Sequence, residues 1–97
     1  MAKGYWVAIY REISDPEKLA AYAKVAGPYI ESCGGRFLTR GTAEKVYEAG
    51  IRERTTIIEF DSVESAIACH DSAEYAAALE VFDGAAVRDL RFVEGTD

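Results

Sequence analysis

The stretch ESCGGRFLTRGT, Glu31–Thr42, holds three glycines, two arginines and a cysteine in twelve residues. Two architectures compete for it. A dinucleotide cradle needs G-x-G-x-x-G opening a helix directly after a strand. Here the order is reversed. Leu19, Tyr22, Ala23, Ala26, Tyr29, Ile30 and Cys33 recur at three- and four-residue steps, the apolar stripe of a helix that precedes the glycines. RFLTRG after them reads as a strand. Gly34-Gly35 are therefore helix punctuation, because glycine past a helix end takes the left-handed conformation without a Cβ clash.

Working outward, GYWVAIYRE (Gly4–Glu12) is rich in β-branched and aromatic residues and predicts a strand. The helix after it has its start written out. Ser14 or Asp15 caps, Pro16 suits the first turn, and Glu17 completes a Ser-x-x-Glu capping box. Pro28 interrupts the stripe and predicts a kink or a restart, since it lacks an N–H and crowds the carbonyl of Lys24. Beyond Gly41, where a bulge or bend is expected, AEKVYEA continues as an edge strand. Ala49-Gly50 signals a hairpin turn, and Arg52–Phe60 returns as a strand.

DSVESAIACH opens with Asp61 or Ser62 as cap and sets Val63, Ala66, Ile67 and His70 on one face. A second piece restarts at Asp71 or Ser72 with Tyr75, Ala78, Leu79 and Phe82 as its stripe, and Gly84 ends it. VRDLRFVEG closes as a strand. The order β-α-β-β-α-β is the ferredoxin-like split βαβ pattern: an α+β fold whose antiparallel sheet carries both helices on one face. Residues 1–97 read as one such domain, without repeat or linker.

Charge narrows the partners. With 17 acidic and 11 basic residues the net charge is −6, and the basic residues are scattered, so nucleic acid is not an expected partner. Cys33 and Cys69 lack paired spacing and read as free thiols of a reducing compartment. No segment approaches the ~18 apolar residues of a membrane span, and MAKGYWVAIYRE lacks a signal-peptide pattern. A cytoplasmic location without membrane contact is the expectation.

Both faces of the sheet are apolar. Tyr5, Val7 and Ile9 point one way from the first strand, and Trp6, Ala8 and Tyr10 the other. Ile58 and Phe60 oppose Ile57, Phe37 opposes Leu38, and Leu90 and Phe92 oppose Val93. Two helices cover one face only. Taking Trp6, Tyr10, Leu38 and Ile57 as the uncovered set, leaving them in water forgoes about 6–12 kcal/mol. A second copy of the sheet is the simplest cover, predicting a homodimer through the sheet face, a dimeric α+β barrel.

Few residues offer chemistry. His70, the single histidine, fits either a general base or an amphipathic ring packed at a helix end. Tyr10 is the second catalytic candidate. Arg36 and Arg40 alternate onto the face of Leu38, and Glu59 onto that of Ile57. An Arg40–Glu59 pair beside Trp6 and Tyr10 is then either a polar cluster in an aromatic pocket, fit to orient a small carboxylate or quinone-like ligand, or a cross-strand ion pair fixing register. The tyrosines at 22, 29 and 75 read as core with wet hydroxyls. Metal-ligand spacing is missing, and no motif implies a cofactor. The chain has no asparagine for acylphosphatase chemistry and no CxxC for copper carriage.

KGYW, DPE before a tyrosine-bearing helix, GGRFLTRG, IIEF followed by Ser62, Ser72 with Glu74-Tyr75, and a final VEG together resemble the bacterial family called domain of unknown function 1330, over Ala2–Gly95. The resemblance implies the dimeric α+β barrel group and no particular activity. Thr42, Asp61, Ala73 and Phe82 depart from the family's pattern, the last standing where an arginine is frequent. Two functions remain open: a small-molecule-binding dimer with a cavity lined by Trp6, Tyr10, Arg40 and Glu59, or a cofactor-independent monooxygenase- or isomerase-like enzyme acting on an aromatic or oxo-acid substrate.

Overall fold

Alternating apolar residues draw Gly4–Ile13 into the first strand, β1, of a computed structural model that describes residues 2–96. The chain continues through α1 (Pro16–Ser32), β2 (Arg36–Thr42), β3 (Arg54–Phe60), α2 (Val63–His70), α3 (Ala73–Phe82) and β4 (Ala86–Glu94). The sheet runs β2-β3-β1-β4, with every neighbouring pair antiparallel. This is the ferredoxin-like βαββαβ order, its second helix in two pieces.

Local signals account for most boundaries. Asp15, not Ser14, caps α1, its carboxylate accepting from the Lys18 N–H at 3.1 Å. The expected Ser-Glu capping box does not form, because the Ser14 hydroxyl donates to the Ala85 carbonyl at 3.1 Å instead. That bond ties the start of α1 to the entrance of β4. Gly34 takes φ +95°, and the Gly35 N–H closes onto the Ile30 carbonyl at 3.0 Å, the helix stop read from the sequence. Ser62 and Ser72 cap α2 and α3.

Three expectations are corrected. Pro28 does not restart the helix, which runs through it from Pro16 to Ser32. It sits on the exposed side of the helix, where water can satisfy the carbonyl it leaves free. The edge strand over 43–49 is absent. Ala43–Glu53 is a loop, closed at its base by the Ala43 N–H donating to the Glu53 carbonyl at 3.3 Å and turned locally by the Gly50 N–H on the Tyr47 carbonyl at 2.9 Å, and β3 begins at Arg54. The irregularity of β2 lies between Phe37 and Thr39, not at Gly41.

The faces are also redistributed. Trp6 and Tyr10 do not share a face with Leu38 and Ile57: Trp6 pairs with Ile58 and lies with Ala8 and Tyr10 beneath the helices, Trp6 1% and Tyr10 4% exposed. The core is Trp6, Tyr10, Leu19, Tyr22, Ile30, Ile58, Phe60, Tyr75 and Phe82 with small residues between. The face without helices carries Tyr5, Val7, Ile9, Ile57 and Val93, with Leu38 half exposed beside them. The two-sided apolar pattern stands, and its uncovered members are different residues.

Candidate functional site

One cleft opens between α1 and the helix-facing side of the sheet. Trp6, Ala8 and Tyr10 of β1 and Thr56 and Ile58 of β3 form its floor, while Tyr22, Ala23, Ala26, Gly27 and Ile30 of α1 form its roof. Phe37 and three arginines, Arg40, Arg54 and Arg88, complete it. The cavity volume is about 40 Å³, well below the ~300 Å³ of common small-molecule sites. Room exists for about three waters or a ligand of that size.

The bulge in β2 brings Arg40 here. Leu38 and Thr39 together face Ile57, so the alternation shifts by one and Arg40 pairs with Thr56 on the helix side. Its guanidinium stacks 3.7 Å from the Phe37 ring centroid and comes close to Gly27 of α1. The same shift overturns the expected Arg40–Glu59 pair. Glu59 lies on the opposite face, where its carboxylate pairs with Arg36 and accepts from the Tyr5 hydroxyl at 3.0 Å. The proposed quartet therefore splits, with Trp6, Tyr10 and Arg40 lining the cleft and Glu59 outside it.

His70 is not among the cleft-lining residues. Its ring packs edge-on to Trp6 at 5.4 Å and against Tyr75 at 5.0 Å, and its Nδ1 meets the Asp71 carboxylate at 3.0 Å. It closes the end of α2 over the far side of Trp6. Tyr10 reaches the cleft, so the two catalytic candidates are not brought together.

Arg88 is the residue the sequence reading passed over. Its Nη1 donates to the Tyr22 hydroxyl at 3.2 Å, which in turn lies 2.5 Å from the Tyr75 hydroxyl. Its guanidinium rests 4.1 Å from the Phe82 centroid and 5.6 Å from that of Tyr10. Burial alone would lower its pKa, yet the Tyr22 and Tyr75 oxygens raise it overall, so the charge is kept. Burial, then Tyr22, pushes the Tyr75 phenol up, and it stays protonated. The signal was available. Arg88, Leu90 and Phe92 share one register, as do Arg54, Thr56 and Ile58, which places cations in positions that otherwise point to the core.

Among the described residues, none of Arg40, Arg54 and Arg88 forms an ion pair, although the chain has 17 acidic side chains. The acids that do form ion pairs meet other cations: Asp83 meets Lys18, and Asp89 meets Arg91 and Arg11. No cluster of three metal-ligating side chains occurs among the described residues. Nor is any helix there long and apolar enough to cross a membrane.

This architecture has known counterparts. A protein of unknown function from Rhodopseudomonas palustris, RPA0582, superposes with a TM-score of 0.71 at 21% identity, covering 99% of this chain and 82% of its own. SnoaB of Streptomyces nogalater, a cofactor-independent oxygenase, matches at TM-score 0.68 and 6% identity over 100% of this chain and 96% of its own. A dimeric ferredoxin-like protein of unknown function from Thermobifida fusca matches at 0.62 and 14%, covering 96% and 91%. At such identities the likeness is one of fold. No curated protein matches the chain. The sequence model described as "Domain of unknown function (DUF1330)" matches residues 3–96, and the chain belongs to that family.

Proposed function

We propose that this protein is a homodimeric small-molecule-binding barrel, its ligand held in the cleft between α1 and the sheet. The carrying observation is the cleft itself, an apolar cavity ringed by Trp6, Tyr10, Tyr22 and Phe37 with three arginines that have no acid partner among the described residues. A few convergent polar groups in an apolar recess are the usual form of a ligand site. Dimerisation is supported by the apolar face of Tyr5, Val7, Ile9, Ile57 and Val93, which this chain leaves uncovered. The T. fusca protein of the same fold is dimeric.

The catalytic alternative is weakened on this geometry. His70 stands behind Trp6 and away from the cleft, which leaves Tyr10 without a base beside it. Sedimentation equilibrium at micromolar concentration is expected to give twice the 10.6 kDa chain mass. Trp6 is the single tryptophan, and its emission is expected to report ligands entering the cleft. A monomer whose Trp6 emission responds to no small molecule removes both parts of the reading.

A further inference from the structure

Resting on the cleft-binding reading, we infer that the ligand is a small carboxylate with a flat or short apolar body, its anion held by Arg88 and Arg40. The chain's net charge of −6 makes three arginines at one cavity, without an acid partner among the described residues, an uneven distribution. Arg88 is the most constrained of them. The Tyr22 hydroxyl takes its Nη1 at 3.2 Å, Phe82 supports its plane at 4.1 Å, and Tyr22 is itself fixed by Tyr75 at 2.5 Å. A guanidinium carries five donors in a fixed fork. The Arg88 fork spends one donor on Tyr22 among the described residues and keeps others for a carboxylate, which such a fork grips through two oxygens.

Arg40 approaches from the opposite wall, flat on Phe37 and close to Gly27, where the absence of a side chain keeps the roof open. Arg54 stands over Tyr10 at 5.8 Å and adds positive potential at the same rim. The walls of Trp6, Ala8, Ala26 and Ile58 have no charge and suit the ligand's body. Space for about three waters, roughly 90 Å³ of liquid volume, seats the carboxylate and the first atoms of its body, and the rest of a short-chain or single-ring acid extends through the open mouth of the cleft. Binding moves no electrons and breaks no bond.

The test is isothermal titration of the intact protein with butyrate and benzoate and with the neutral amides butyramide and benzamide, following Trp6 emission in parallel. At least one acid is expected to bind about tenfold or more tightly than its amide, since a charged hydrogen bond discriminates by that order. Arg40→Gln, a change at an exposed side chain that spares the core, is expected to weaken the acid by a similar factor and leave the amide unchanged. Arg88→Lys is expected to retain part of the preference, because charge persists while the fork is lost. Acid and amide binding equally, with Arg40→Gln silent, would overturn the carboxylate inference and leave cleft binding standing. If no acid or amide binds, the cleft-binding reading falls and this inference with it.

Discussion

Burial sets the ionisation of Cys69, which lies 3% exposed at the end of α2. Burial, followed by the Cys33 thiol beside it, pushes the Cys69 thiol from the usual 9.0 to about 12. Such a thiol is a poor nucleophile at neutral pH. The neutral form is the one folding favours, so its contribution to stability is complete below pH 9.0 and is lost as pH rises towards about 12. The urea midpoint is therefore expected to fall between about pH 8 and about pH 10.5, and to fall less in Cys69→Ala. Identical declines in both proteins would remove Cys69 as the cause. Tyr75 acts in the same direction at higher pH, because burial raises its phenol as well.

At the scale of elements, the contact between β1 and the first turn of α2 is backbone to backbone. A Cβ on Gly4 would stand 2.3 Å from the Val63 nitrogen and 2.4 Å from its Cα, and main chain cannot swing aside as a long side chain can. Gly4→Ala is expected to destabilise the fold by about 3 kcal/mol or more, read by urea or thermal unfolding. A shift smaller than about 0.5 kcal/mol would show that α2 can move off the sheet at little cost. The bulge in β2 has the opposite value: one extra residue re-aims Arg40 from the outer face into the cleft. It leaves Arg36 on the outer face to pair with Glu59.

For the whole molecule, the decisive feature is thinness. The described residues span 36 × 33 × 15 Å, the depth of one sheet and one helix layer. The outer face has an apolar centre of Val7, Ile9 and Ile57, with the Arg36–Glu59 and Arg91–Asp89 ion pairs towards its margins. An apolar centre with a polar rim is the form of a protein interface. Val7→Lys places a charge in that centre without touching the core. Dissociation to a monomer with an unchanged far-ultraviolet circular dichroism spectrum is expected, measured by sedimentation. A variant that stays dimeric would put the interface elsewhere.

Much of this was legible in residue order because local physics writes it there. Asp15, Ser62 and Ser72 cap, Gly34 stops α1, and period-two alternation marks the strands, each depending on residues a few positions apart. The family resemblance and the two apolar sheet faces were readable for the same reason. Which face the helices cover, where β2 slips by one residue, and that Arg40 and Arg88 line one cleft while Glu59 turns away were decided only by the tertiary structure. Alternation says that successive side chains part company and is silent on which side lies inside, and a single bulge reverses every assignment beyond it.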